Sequence, residues 1–229
     1  MGLHLGLGMG LLLGSLALGW WLNARGLLTE SRAARLMQWL VIGPAPVVLC
    51  LLFWGMDLGN ATLWCLPLLG LLVALYTLLP AMLFARWVGL AAPQSGSSLT
   101  SAVFSNLGYL GAWTVFIMFG EAGYGLCMLY LLFFTPCFYT VGFWIASHYG
   151  GSRHRSTLST SFNEELRFFP FVGMAVGIVL NVTGVPRPPL LAWVNNILIP
   201  LDTMLYLIAI GSRLEVHSPA PWLKACLAM

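Results

Sequence analysis

Seven apolar runs, 15 to 25 residues long, divide this chain: Leu3–Leu22, Leu36–Gly55, Thr62–Ala85, Leu99–Phe119, Tyr124–His148, Phe168–Val182 and Leu190–Gly211. About 20 apolar residues in helical form span the ~30 Å hydrocarbon core of a bilayer. Only 7% of the residues are charged, against about 25% in a soluble domain, so the chain lacks the charge to cover a water-facing surface. The runs also lack the ten-residue alternation of a membrane barrel. The expected fold is therefore an all-α integral membrane protein. No small-residue cleavage site precedes Asn23, so Leu3–Leu22 is read as a retained first span rather than a leader.

The charges that remain are unevenly placed. With the N-terminus outside, the inward-facing links hold Arg25, Arg32, Arg35, Arg86, Arg153, Arg155, Arg167, Arg213 and Lys224, and the opposite links hold only Arg187. Cytoplasmic links of membrane proteins are enriched in this way. A net charge of +3 gives no reason to expect a nucleic-acid partner. Trp20, Trp21, Trp87 and Trp144 lie near span ends, where interfacial tryptophans belong. Cys50, Cys65, Cys127, Cys137 and Cys226 are odd in number, lie in apolar segments and form no C-x-x-C, so neither a disulfide framework nor a metal site is expected.

A short frame recurs. "GWWLNARG" (residues 19–26) and "GIVLNVTG" (177–184) share G-x-x-L-N-x-x-G at a separation of 158 residues. Each copy is followed by a short polar link and a span that contains proline. Pro44 and Pro200 are 156 apart, which reads as a loss of two residues from one copy. The alternative is a chance match between apolar spans. A true repeat of five spans places its second copy upside-down, as in secondary transporters, and the charge pattern predicts the same inversion. The organisation is then a complete first repeat over 1–148 with a broken crossover segment at 99–119. A cytoplasmic connector follows over 149–167, then a truncated second repeat over 168–229. The tail "PAPWLKACLAM" reads as the first turns of an eighth span.

The fourth run, "SSLTSAVFSNLGYLGAWTVFIMFGEAG", puts Ser105, Asn106, Gly108 and Gly111 near its middle. Glycine weakens a helix by about 1 kcal/mol, and asparagine competes for backbone hydrogen bonds. Unwound backbone at membrane depth survives where it lines a cavity or is buried in protein. These four residues are therefore the candidate substrate-binding set. Small-residue helix packing, with Asn106 as an interhelical partner, would account for the same pattern.

"FSNLGYLGAWTVFIMFGEAG" resembles the crossover segment of the auxin efflux carrier family, whose usual form is close to G-N-x-G-F-x-G-x-P. Asn106, Gly108 and Gly111 match, Ser105 stands for the usual glycine and Trp113 for the usual proline. "FPFVGMAVGIVLNVTGVPRPPLL" and "PLDTMLYLIAIGSRLE" resemble that family's sixth and seventh spans. The resemblance implies ten spans, of which this chain lacks the last three. It implies an outside N-terminus, a scaffold of spans 1, 2, 6 and 7 that suggests a homodimer, and a transport core with broken helices. It further implies a permease of the cell membrane for a small organic anion, such as a carboxylate, and no cofactor. The alternatives are a carrier similar to bile-acid–sodium symporters, or a non-transporting subunit or relic.

Asp202 is the acid the sequence places well inside a span, and an intramembrane charge is by default a functional candidate. With Asn195, a heptad earlier, or Asn196 it could hold a coupling proton or sodium ion. Capping by Thr203 near Pro200 is the plainer reading. Gly2, Gly6, Gly10 and Gly14 form a smooth stripe suited to close helix approach. An enzyme is not expected. Ser97 or Ser98 with His148 would lack a group to orient the histidine, and the chain contains no phosphate-binding loop.

Overall fold

The computed structural model describes residues 2–104, 106–150 and 169–214. Among these residues the fold is all helical, and it is the fold of a multi-pass membrane protein. Ten α-helices follow in order: α1 (Gly2–Ala24), α2 (Glu30–Ile42), α3 (Pro44–Gly55), α4 (Cys65–Val88), α5 (Ala92–Val103), α6 (Ala112–Tyr130), α7 (Phe134–Cys137), α8 (Phe143–Tyr149), α9 (Phe169–Val182) and α10 (Pro189–Gly211). Five helical stretches are long and apolar enough to cross a membrane: Leu5–Ala24, Glu30–Gly55, Ala61–Val88, Ala92–Tyr130 and Pro189–Gly211. Leu68, Leu72, Leu79 and Leu83 on α4 all stand exposed, as lipid-facing positions do.

The expected break in the second span is present. Gly43 leaves helical geometry (φ −96°, ψ −85°) and Pro44 starts α3, a position where its missing N–H costs nothing. The fourth and fifth runs part where expected. Gly120 (φ 65°, ψ −157°) separates two helices, and the chain doubles back there, since a β-carbon on Gly123 would crowd the side chain and carbonyl oxygen of Val115, eight residues earlier. Each run is itself broken: the fourth, which begins at Ala92, around Phe104 and Asn106, and the fifth after Tyr130, where Leu131–Tyr149 is a chain of short pieces. Pro136 explains part of this, because it has no N–H to donate to the Leu132 carbonyl. The Thr140 hydroxyl, which donates to the Pro136 carbonyl at 2.8 Å, diverts another backbone acceptor. The described part of α9, 14 residues or about 21 Å of helix, matches the expected sixth run from its second residue onward. The residues before it, 151–168, and the tail after Leu214 lie outside the described residues, as do the connector and the eighth span expected there.

The two copies of G-x-x-L-N-x-x-G end alike. Gly26 and Gly184 both take φ +70°, a conformation open to glycine without strain. The Gly26 and Leu27 N–H groups donate to the Asn23 and Leu22 carbonyls, and those of Gly184 and Val185 donate to the Asn181 and Leu180 carbonyls. The leading glycines are also used alike. A β-carbon on Gly19 would overlap the carbonyl oxygen of Ile208, and one on Gly177 would overlap that of Cys50. Ile208 and Cys50 are themselves 158 positions apart. The register is therefore kept through the second helix of each pair, and Pro44 and Pro200 are not equivalent positions.

The core sits where α3, α6, α9 and α10 meet. Val48, Leu52, Phe53, Tyr124, Leu129 and Ile199 form its buried cluster. A second cluster, Leu12, Trp113 and Leu207, joins α1 to α6 and α10. The Trp113 indole N–H donates to the Gly8 carbonyl at 3.0 Å, so this tryptophan ties α6 to the first span. Gly8 and Gly19 are the glycines that make α1 close-packing. Gly6, Gly10 and Gly14 are exposed, with no atom within 4 Å of where a β-carbon would stand. These three glycines of the expected stripe thus face away from the other described residues.

Candidate functional site

The crossover segment opens after Val103. Phe104 (φ −109°, ψ 76°) and Asn106 (φ −77°, ψ 56°) leave the helix. The chain re-forms as a wide turn over Leu107–Gly111, where the N–H groups of Leu110 and Gly111 both reach back to the Asn106 carbonyl, at 3.2 and 3.4 Å. A helix broken here brings the backbone of Gly108 to the wall of a cavity of about 290 Å³. Phe53 from α3, Tyr124 and Met128 from α6, Met174 from α9, and Asp202 and Tyr206 from α10 share that wall. Tyr109, next to Gly108, stacks on Tyr206 with ring centroids 3.9 Å apart and planes 16° apart. The break is thereby fastened to α10 within one turn of Asp202.

Asp202 is 7% exposed, and its Oδ1 has no hydrogen-bond partner among the described residues. Thr203, itself buried, does not cap that oxygen. A carboxylate oxygen held unpaired in a membrane-spanning helix is costly, and the cavity it lines is where a compensating partner has room. The candidate coupling residues separate. Asn195 is fully buried but donates to Glu121 Oε1 at 2.6 Å. Asn196 is exposed, and its amide donates to the Ala192 carbonyl of its own helix. Of the candidate binding set, Gly108 lines the cavity, while Asn106 is exposed at the break and is not part of its wall. Gly111 packs under Leu107, and Ser105 lies outside the described residues. His148 stacks on Trp144, with centroids 5.5 Å apart, away from this cavity.

A second polar cluster lies at the bend within α6. Gly120 breaks that helix with φ 65° and ψ −157°, and Glu121 follows it. Arg187 Nη2 donates to Glu121 Oε1 at 2.7 Å and to the Leu191 carbonyl at 3.1 Å. Both side chains are mostly buried, at 12% and 16% exposed. Glu121 is thus a second largely buried acid, at the bend between runs rather than inside a span as Asp202 is. From sequence, Glu121 falls in an ordinary link between spans. The signal that could have found it was Arg187, the lone cation assigned to its side of the membrane, which needed an anion. Beside it, Asn181 donates to the carbonyls of Trp54 (2.9 Å) and Met56 (2.6 Å), and the Trp54 indole donates to the Val185 carbonyl at 2.8 Å. The ends of α3 and α9 are clamped together there.

Compared with protein-family models, curated proteins and solved structures, the chain matches none. The arrangement itself is what bears on activity. It combines a helix broken in mid-segment, a cavity at that break and a buried carboxylate facing it from a second, proline-containing helix. Such a cavity can hold one small solute and can exchange a charge with it.

Proposed function

We propose that this chain is a secondary membrane carrier of the cell membrane, with its cargo site in the cavity between the broken segment and α10. The observation that carries this reading is that Gly108 and Asp202, 94 positions apart in sequence, line the same cavity. Carriers built from inverted repeats bind cargo near mid-membrane, where unwound helices supply backbone groups. The matched caps at Gly26 and Gly184 support an inverted repeat, as do the matched contacts of Gly19 with α10 and of Gly177 with α3. In this reading the N-terminus is outside. Arg25, Arg32, Arg35 and Arg213 face the cytoplasm, and the Glu121–Arg187 pair faces out.

The auxin efflux carrier resemblance implies an organic anion as cargo. Such an anion would approach the Asp202 carboxylate and would bind once a proton had neutralised it, which makes the proton the coupling ion. A sodium requirement for flux would instead favour the likeness to bile-acid–sodium symporters. A homodimer through the scaffold helices would cover the exposed Gly6, Gly10 and Gly14.

The test is solute flux in proteoliposomes that hold the purified chain. Uptake above that of empty vesicles, lost on Asp202→Asn without loss of helix content, is the expected result. Wild-type vesicles that take up neither labelled carboxylates nor labelled amines would remove the carrier reading.

A further inference from the structure

We infer that the cavity is built for a small organic cation, an amine or a quaternary ammonium, rather than for the anion implied by resemblance. This rests on the cargo-site reading above and names the charge of the cargo. Asp202 is the one charged side chain on the wall formed by the described residues, and no Lys or Arg stands there. Its Oδ1 lacks a partner although the side chain is more than nine-tenths buried. The wall carries six aromatic rings, Phe53, Tyr109, Tyr124, Phe134, Phe171 and Tyr206. Aromatic faces are negative and attract a cation, and quaternary ammonium groups are recognised by clusters of rings. An anion would meet the carboxylate, which repels it, with no cation on the described wall to offset that.

A bare metal ion fits less well. Hard cations seek a shell of oxygen ligands, and this wall offers one carboxylate and three phenol oxygens among apolar groups, including the thioethers of Met128 and Met174. The volume of about 290 Å³ is at the lower end of small-molecule pockets. It suits a single-ring or short aliphatic amine. The ammonium would take the free Asp202 oxygen as acceptor, and the apolar remainder would lie against the rings.

The experiment pairs two probes of equal size and opposite charge, labelled benzylamine and benzoate. Each is titrated against the purified full chain in nanodiscs at neutral pH. Saturable benzylamine binding is expected, with benzoate failing to compete. Asp202→Asn should weaken benzylamine at least tenfold while circular dichroism and elution stay unchanged. Tyr206→Leu, which removes a ring, should weaken benzylamine, and Tyr206→Phe, which restores the ring, should recover more of the binding than Tyr206→Leu does. Three results would overturn the inference: benzoate binding the tighter of the two, benzylamine binding unaffected by Asp202→Asn, or no saturable binding of benzylamine to a folded chain. Binding without flux in vesicles would keep the cation site and remove the carrier reading.

Discussion

Gly177 of α9 lies so close to Cys50 of α3 that a β-carbon on the glycine would overlap the Cys50 carbonyl oxygen. The neighbour is backbone, which cannot turn aside as a side chain can. Overpacking of a tight contact costs about 1–3 kcal/mol, and Gly177→Leu belongs at the upper end. Gly19→Leu should cost a similar amount through Ile208. Gly10→Leu, which meets nothing within 4 Å, should leave the isolated chain unchanged. Thermal unfolding of the three variants in detergent, read by tryptophan fluorescence, checks the ranking. Equal stability of all three would mean that the α3–α9 and α1–α10 contacts are not as close as described.

The Glu121–Arg187 pair has a sharper signature. Both side chains are largely buried and Asn195 shares the same carboxylate oxygen. Removing one member leaves the other buried without its counter-charge, at a cost of about 3–5 kcal/mol. Glu121→Ala and Arg187→Met should each destabilise strongly, and the double variant should recover part of the loss. A double-mutant cycle on unfolding midpoints measures the coupling. Additive effects would show that the pair contributes nothing beyond two separate side chains.

What the sequence made legible follows from range. The class was readable from charge scarcity, and the break at Gly43–Pro44 from proline chemistry, because both are local. So were the two glycine caps, since a G-x-x-L-N-x-x-G frame specifies its own turn. The break near Asn106 was readable for the same reason. So was the boundary between the fourth and fifth runs, where Gly120 takes φ 65°. The short pieces into which Leu131–Tyr149 divides were not, because apolarity is continuous across them. Nor could periodicity pair Asn195 with Glu121, 74 positions away. Proline spacing suggested a two-residue loss, whereas the contacts of Gly19 and Gly177 keep one offset throughout. A proline marks where hydrogen bonds are lost along its own helix, and it says little about which neighbour the helix meets.

Gly108 offers a test of the cavity that spares the charge. A β-carbon there would come no nearer than 4.0 Å to Leu131 Cδ1, so Gly108→Ala should fold and transport as the parent does. Gly108→Leu should fold, fill part of the cavity and reduce solute uptake at least tenfold. Uptake by vesicles at matched protein content separates the two. Full activity of the leucine variant would place the cargo elsewhere.

The two ends of the helical bundle also differ in charge, which makes orientation measurable. The α1–α2 turn carries Arg25 and Arg32 with Asn23 exposed beside them, and the α3–α4 turn, at the opposite end of α2–α3, carries Asp57 and an exposed Gly59. Positive charge is retained on the cytoplasmic side. In a background with the native cysteines replaced, Asn23→Cys should therefore resist a membrane-impermeant maleimide in intact cells and react after permeabilisation. Gly59→Cys should react in both conditions. The reversed pattern would put the N-terminus inside and the Glu121–Arg187 pair on the cytoplasmic face. Labelling of both sites in intact cells would mean that the chain does not cross the membrane between residues 23 and 59, against the 26-residue apolar stretch Glu30–Gly55.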